Sequence, residues 1–244
     1  MTYAPAARFE IARVLIRMGG VLSRNMRVMA VLAFVLSGLP NLLVAIAGRG
    51  LLSPFGSSLI GPSGFGWVFN LLINALLQAA LIHGTISDLN GKPASIGDCL
   101  NTAVRHVLPL IGIGVATTVA TFIGLFLFVV PGVILALVLC VSAPVRVVEG
   151  LGVFSAMGRS GDLTRNHRGA ILLLFILYGI GFVVIQGLVG QITVFAPAVQ
   201  QLVATPLLQT LGSLVGAAGA ASIYFELRTA KEGIGAEALA AAFD

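Results

Sequence analysis

Charge is the scarcest property of this sequence. Only 9% of its 244 residues are charged and 58% are hydrophobic, whereas an average soluble domain is about 25% charged. A soluble globule of this length needs far more charge to cover its surface, so the composition excludes one. No charged residue occurs in 28–48, 50–87, 106–145 or 169–225. Since about 20 apolar residues span a bilayer as a helix, each stretch has room for one or two spans.

Glycine and proline divide the longer stretches. They predict turns at 130–132 and 195–197, and a loop rich in Gly, Ser and Pro at 53–66. The sequence therefore predicts an all-α fold, a polytopic membrane bundle that forms a single domain (1–244) with six transmembrane helices. The expected order is an amphipathic segment (1–27), spans at about 28–47, 67–87, 107–129, 132–149, 170–194 and 200–225, and a tail (226–244).

The few charges are confined to one side of these spans. With an inward-facing N-terminus, Arg49 alone of the 14 lysines and arginines falls outside, and all nine acidic residues fall inside. The positive-inside rule therefore predicts an inner-membrane protein with both termini in the cytoplasm. The net charge of +5 indicates contact with anionic lipid headgroups rather than with nucleic acid.

An internal repeat precedes some of the spans. The six residues 22–27 (LSRNMR) match 163–168 (LTRNHR) at an offset of 141 residues, and 95–107 offers a weaker third copy. We infer a repeat unit of one interfacial helix and one transmembrane hairpin, used three times. Such helices either cap the bundle or bind lipid with their basic face.

Catalytic and metal-binding motifs are lacking. The sequence contains no G-x-S-x-G, H-E-x-x-H, Walker or G-x-G-x-x-G pattern, and no ionisable residue at the centre of a predicted span. Cys99 and Cys140 are predicted at different depths, which excludes a disulfide between them. We therefore expect a non-enzymatic protein without catalytic residues, metal or cofactor. An enzyme would require Glu149, Glu226 and His167 to converge.

Uncharged polar and small residues leave two further alternatives open. The polar ones, which bond between helices or line a permease cavity, are Asn70, Asn74, Gln78, Gln186, Gln191, Gln200, Gln201, Gln209 and Thr210. Small residues recur every fourth position at Gly112, Ala116, Ala120 and Gly124, and again at Gly212, Gly216 and Ala220. These stripes favour close packing inside the bundle, with a homo-oligomer through Gly212 and Gly216 as the alternative.

The candidate contact residues lie where charge borders the spans. Arg146 and Glu149 are three residues apart, a spacing at which they can pair along a helix, and Glu226 is expected to pair with neighbouring basic groups. This border is either a structural ionic layer or a lipid-headgroup site. Its candidate residues for lipid or partner contact are Arg24, Asn25, Arg27, Arg146, Glu149, Arg165, Asn166, Arg168, Glu226 and Arg228.

Several segments resemble a bacterial family. They are VVPGVI (129–134), APV (143–145), Glu149 with Gly150, Arg159 with Ser160, Leu163 with Thr164, YFELR (224–228) and KEG (231–233). Together they resemble the membrane domain fused to some glycerophosphodiester phosphodiesterases and the related YciC-like membrane proteins, over most of the chain from about residue 85. The resemblance implies a multi-spanning bacterial envelope protein without a settled biochemical role, and it carries over no phosphodiesterase activity. The leading hypothesis is a lipid-interacting or partner-organising module, and the alternative is a permease or channel for a small or lipidic substrate.

Overall fold

A computed structural model describes residues 9–40, 66–92, 95–192, 195–196 and 199–232. Every regular element in this part of the chain is helical, which confirms the predicted all-α fold. The helices are α1 (Ile11–Arg24), α2 (Met26–Ala33), α3 (Gly66–Leu89), α4 (Ile96–Leu127), α5 (Val129–Leu139), α6 (Ser142–Glu149), α7 (Val153–Thr164), α8 (Arg168–Ile192) and α9 (Thr205–Glu232). π-Helical segments follow α2 (Phe34–Gly38) and precede α9 (Gln200–Ala204).

Long apolar helices make this chain a multi-pass membrane protein. Five candidate spans are found in the described ranges: Leu72–Leu89, Ile96–Leu127, Val129–Glu149, Arg168–Ile192 and Thr205–Glu232. The count rises to six if the pair Ile11–Arg24 and Met26–Leu36 is one broken span. In α8 only 11% of the apolar window is buried within the protein, so most of this helix faces lipid. Residues 41–47 of the predicted first span lie outside the described residues.

The amphipathic segment before the first predicted span is a helix of its own. Val14 and Val21 of α1 are buried, and Arg13 and Arg17 lie beside them and reach Glu226 on the neighbouring helix α9. The chain bends by 83° at Asn25 between α1 and the helical segment that follows. Thus α1 runs across the direction of that segment and packs against α9.

The hairpin between α4 and α5 closes earlier than predicted. The break lies at Phe128, whose φ of −160° and ψ of 147° are extended, and not at 130–132. Pro131 and Gly132 instead belong to the first turn of α5, where proline is tolerated because that N–H has no partner within the helix. At Gly132 only a glycine fits, because a Cβ would lie 2.7 Å from Leu125 Cα.

The middle copy of the proposed repeat differs from the other two. A turn at 165–167 separates α7 from α8, and a bend at Asn25 separates α1 from α2. In contrast, α4 runs from Ile96 to Leu127 without a break. The segment 95–107, expected as an interfacial helix, is therefore continuous with the span that follows it.

Two helices form the centre of the bundle. The largest fully buried side chains include Leu77, Leu81 and Ile82 of α3 and Tyr224 and Leu227 of α9. α3 and α9 contact each other, and α1, α4 and α6 pack around them. This arrangement brings the charged ends of α1, α3, α6, α7 and α9 together in one layer.

Candidate functional site at the charged end of the bundle

The deepest charge of this layer is Glu226 on α9, which is 1% exposed. Its carboxylate accepts a hydrogen bond of 3.0 Å from Arg13 Nη1 and another from Arg17 Nη1. The Arg17 guanidinium also lies over the Phe225 ring, 4.8 Å from the ring centroid. A buried carboxylate requires such partners, because its desolvation is otherwise uncompensated. The sequence predicts that Glu226 pairs with a neighbouring basic group, and the partners are Arg13 and Arg17 from the other end of the chain.

A second cluster joins α1 and α2 to the end of α3. Arg24 donates to both carboxylate oxygens of Asp88, with the shortest contact at 2.6 Å from Nη2 to Oδ2. Asn25 donates to the same carboxylate at 2.5 Å. Two of the residues predicted to contact lipid are therefore engaged by Asp88, and the cluster holds the bend at Asn25 against α3.

The third cluster links α6, α7 and α9. Arg159 donates to Glu149 at 3.2 Å and also to Glu232. Arg228 Nε donates to Glu232 at 2.8 Å, and the Tyr224 hydroxyl donates to Glu149 at 2.9 Å. Burial works against the charge on Arg159, but the hydrogen bond to Glu232 and the charges of both carboxylates outweigh it and raise the pKa of Arg159. Glu149 and Arg228, two of the predicted contact residues, are thus both paired within the chain, Glu149 with Arg159 and Arg228 with Glu232.

Arg146 does not pair with Glu149, so that prediction is wrong. Its Nη1 donates to the carbonyl oxygens of Gly150, at 2.5 Å, and Leu151. Gly150 ends α6 with a φ of 65°, and this left-handed residue turns the chain so that two carbonyls face back toward the helix. Arg146 therefore caps the C-terminal end of α6, and Glu149 accepts hydrogen bonds from Arg159 and Tyr224 instead.

The remaining candidates point away from the protein. Arg27, Arg165, Asn166 and Arg168 are exposed, and across the described ranges none of the three arginines forms an ion pair. Asn166 has a φ of 73°, a conformation that asparagine tolerates better than most residues. The two repeat copies thus differ in their contacts, since Arg24 is paired and its counterpart Arg165 is not.

Sequence reasoning missed half of the ionic layer. The overlooked partners are Arg13, Arg17, Asp88, Arg159, Tyr224 and Glu232. Local spacing could have found only two of them, since Tyr224 and Glu232 each lie four residues from Arg228 on the same helix. The other pairs have no local signal, because Arg13 and Glu226 are 213 positions apart and Arg159 and Glu232 are 73 apart. The available signal was the scarcity of charge itself, since a carboxylate beside a span needs a cation.

The three residues singled out for a possible enzyme, Glu149, Glu226 and His167, do not converge. Glu149 and Glu226 belong to different clusters, and the His167 ring lies against Phe9 with the ring centroids 5.4 Å apart. Partial burial and then the charge of Lys231 lower the pKa of His167. No group of three or more His, Cys, Asp or Glu residues suited to a metal ion occurs within the described segments.

An apolar cavity of about 550 Å³ lies beside this layer, between α1, α8 and α9. The described polar residues proposed for a permease do not line it, and Gln186, Gln191 and Gln209 are exposed at other positions. Gly212 and Gly216 do line it, facing Tyr178 of the same chain, and Phe182 is also close to Gly212. The stripe that was proposed for a homo-oligomer thus faces α8 of the same chain across the cavity, and the oligomer through Gly212 and Gly216 stays a prediction.

Comparison with known proteins assigns no family to this chain. No protein-family model, curated protein or solved structure matches it.

Proposed function

We propose that this chain is a lipid-interacting protein of the inner membrane, with anionic headgroups bound at its charged end. The observation that carries the proposal is the division of the arginines there. Arg13, Arg17, Arg24, Arg159 and Arg228 are paired with carboxylates. Arg27, Arg165 and Arg168 are exposed without an ion pair in the described part of the protein. Arg27 and Arg168 lie in the first turn of an apolar helix and Arg165 lies in the turn before α8, so all three can reach the headgroup region.

The orientation belongs to the same proposal. Because lysine and arginine are retained on the cytoplasmic side of membrane proteins, the charged end faces the cytoplasm and both termini lie there. The resemblance to the YciC-like family supports a bacterial inner membrane as the location. The role is non-enzymatic, since the groups suited to catalysis are held in ion pairs or lie apart, and the same face is suited to organising partner proteins.

A charge-neutralised variant tests the proposal. The exchange Arg27→Gln/Arg165→Gln/Arg168→Gln removes these three charges and leaves the ion pairs intact, and the matched control replaces the same residues with lysine. Arg105 near the start of α4, which is also exposed and outside the ion pairs of the described residues, is kept in both variants. Purified proteins are offered equimolar phosphatidylglycerol and phosphatidylcholine in mixed micelles, and native mass spectrometry measures the ratio bound.

The expected result is a preference for phosphatidylglycerol in the wild type and in the lysine variant, because both retain three cations. The glutamine variant is expected to lose most of this preference, as each cation near an anionic surface contributes about 1 kcal/mol. A wild type without preference, or a glutamine variant that keeps it in full, would contradict the proposal.

A further inference from the structure

The cavity beside the charged end lies between two helices that pack loosely. On α9 it is lined by Gly212, Gly216 and Gly219, and on α8 by Gly181. These residues leave space because they carry no side chain, while the Tyr178 hydroxyl bridges the helices by donating to the Gly212 carbonyl at 3.0 Å. The apolar space between the helices is about 550 Å³ and is partly open rather than enclosed by the protein. Its volume is typical of a ligand site.

An exposed arginine lies on α8 beyond the charged-end limit of this cavity. Arg168, Phe175 and Phe182 are seven residues apart on α8, so they share one face of the helix. Phe175 and Phe182 line the cavity, and Arg168 is exposed on the same stripe. At 1.5 Å per residue, Arg168 lies about 10 Å along the axis from Phe175. The cavity then follows α8 from Leu174 to Ile185, about 16 Å on the same scale.

The side of the cavity opposite α8, formed by α1 and α9, is also lined by apolar residues. Leu15 and Met18 of α1 line the cavity near the charged end, and Leu208 of α9 lines it toward the opposite end. With an apolar lining and Arg168 about 9 Å beyond Leu174 along α8, the cavity is complementary to a molecule with a hydrocarbon tail and an anionic head.

We propose that the cavity holds one acyl chain of a single anionic phospholipid whose phosphate is bound by Arg168. This inference rests on the proposed function and adds to it a defined site, with one lipid per chain. Arg27 lies on another helix and belongs to the general headgroup contact, so the two claims are separable by mutation.

A pair of glycines on α8 provides the test. Gly181 lines the cavity, and no atom lies within 4 Å of the position that a Cβ would take there, so Gly181→Leu fills the space without a backbone clash. Gly187 is equally open but does not line the cavity, so Gly187→Leu is its matched control. Arg168→Gln removes the charge, and Arg168→Lys retains it. Native mass spectrometry measures the binding of phosphatidylglycerol and of diacylglycerol with the same chains.

The expected outcome is one phosphatidylglycerol per chain in the wild type, in Gly187→Leu and in Arg168→Lys. Gly181→Leu is expected to weaken both ligands. Arg168→Gln is expected to weaken phosphatidylglycerol alone by about tenfold, as for the loss of one charge-assisted hydrogen bond. Undiminished binding in Gly181→Leu would overturn the site, as would a chain dimer that Gly181→Leu dissociates. Because Gly181→Leu keeps Arg27, Arg165 and Arg168, its preference for anionic micelles separates failure of this site from failure of the proposed function.

Discussion

Glu226 shows how a carboxylate is accommodated beside a membrane span. It is the most buried charged side chain among the residues described, and both of its cationic partners lie on α1. Neither partner is fully buried, since Arg13 is 36% and Arg17 is 24% exposed. The pairing therefore compensates the desolvation of one carboxylate while the arginines keep part of their hydration.

Replacing Glu226 is expected to loosen α1 from the bundle. Glu226→Gln leaves two arginines facing a neutral group, and breaking a pair of this kind costs about 3 kcal/mol. Glu10→Gln is the control, because Glu10 pairs with Arg13 at the surface and is 57% exposed, where a pair contributes about 0.5 kcal/mol. Unfolding in detergent, titrated with SDS and followed by circular dichroism, measures both. Equal stability of the two variants would contradict this role for Glu226.

His167 is expected to make stability depend on pH. Burial and Lys231 lower its pKa below the ordinary 6.5, so at acidic pH the unfolded chain binds a proton that the folded chain resists. The contribution of neutral His167 to the free energy of unfolding is therefore fully present above pH 6.5. It falls as the pH drops below 6.5 toward the lowered pKa. His167→Phe keeps a ring beside Phe9 and removes the titration. Thermal unfolding at pH 7.5 and 5.5 is expected to show a smaller difference in this variant than in the wild type, and an unchanged difference would refute the assignment.

At the scale of elements, hydropathy and helical period predicted most of the fold. Long charge-free stretches became apolar helices, because backbone groups in lipid can be satisfied only within helices or closed barrels. The failures concern boundaries. Pro131 predicts a turn, but it lies in the first turn of α5. The amphipathic segment at the start of α4 predicts a separate helix, but it is continuous with the span that follows. Local propensity does not decide such cases, because the neighbouring helices determine where a helix breaks.

The hairpin of α4 and α5 has no room for a side chain at two glycines, Gly124 and Gly132. A Cβ at Gly132 would lie 2.7 Å from Leu125 Cα, and a backbone atom cannot move away as a side chain can. We expect Gly132→Ala to destabilise the protein by about 1–3 kcal/mol, the usual range for overpacking. Gly114→Ala on α4 is the control, since no atom lies within 4 Å of its Cβ position and alanine favours a helix. SDS titration compares them, and a fully stable Gly132→Ala would show that the arms can separate freely.

At the scale of the whole molecule, the ion pairs lie at one end of the bundle and the spans present apolar surface. The sequence predicted that charge would gather at one border, because a charge-free interior leaves it no other place. It did not predict which charges would pair, since ion pairs such as Arg13 with Glu226 join distant parts of the chain. The cavity was also beyond prediction, because it depends on how α8 and α9 are held apart. The unpaired arginines and the cavity together support a lipid-binding role.

The orientation of the whole bundle can be tested by cysteine labelling. Cys99 and Cys140 are first replaced with alanine, and single cysteines are introduced by Ser23→Cys, Arg165→Cys or Phe128→Cys. Ser23 and Arg165 are exposed at the charged end, and Phe128 is 72% exposed in the hairpin at the opposite end. Because positive charge is retained inside, a membrane-impermeant maleimide is expected to label only Phe128→Cys in intact spheroplasts and all three after permeabilisation. Labelling of Ser23→Cys or Arg165→Cys before permeabilisation would place the charged end outside and reverse the proposed orientation.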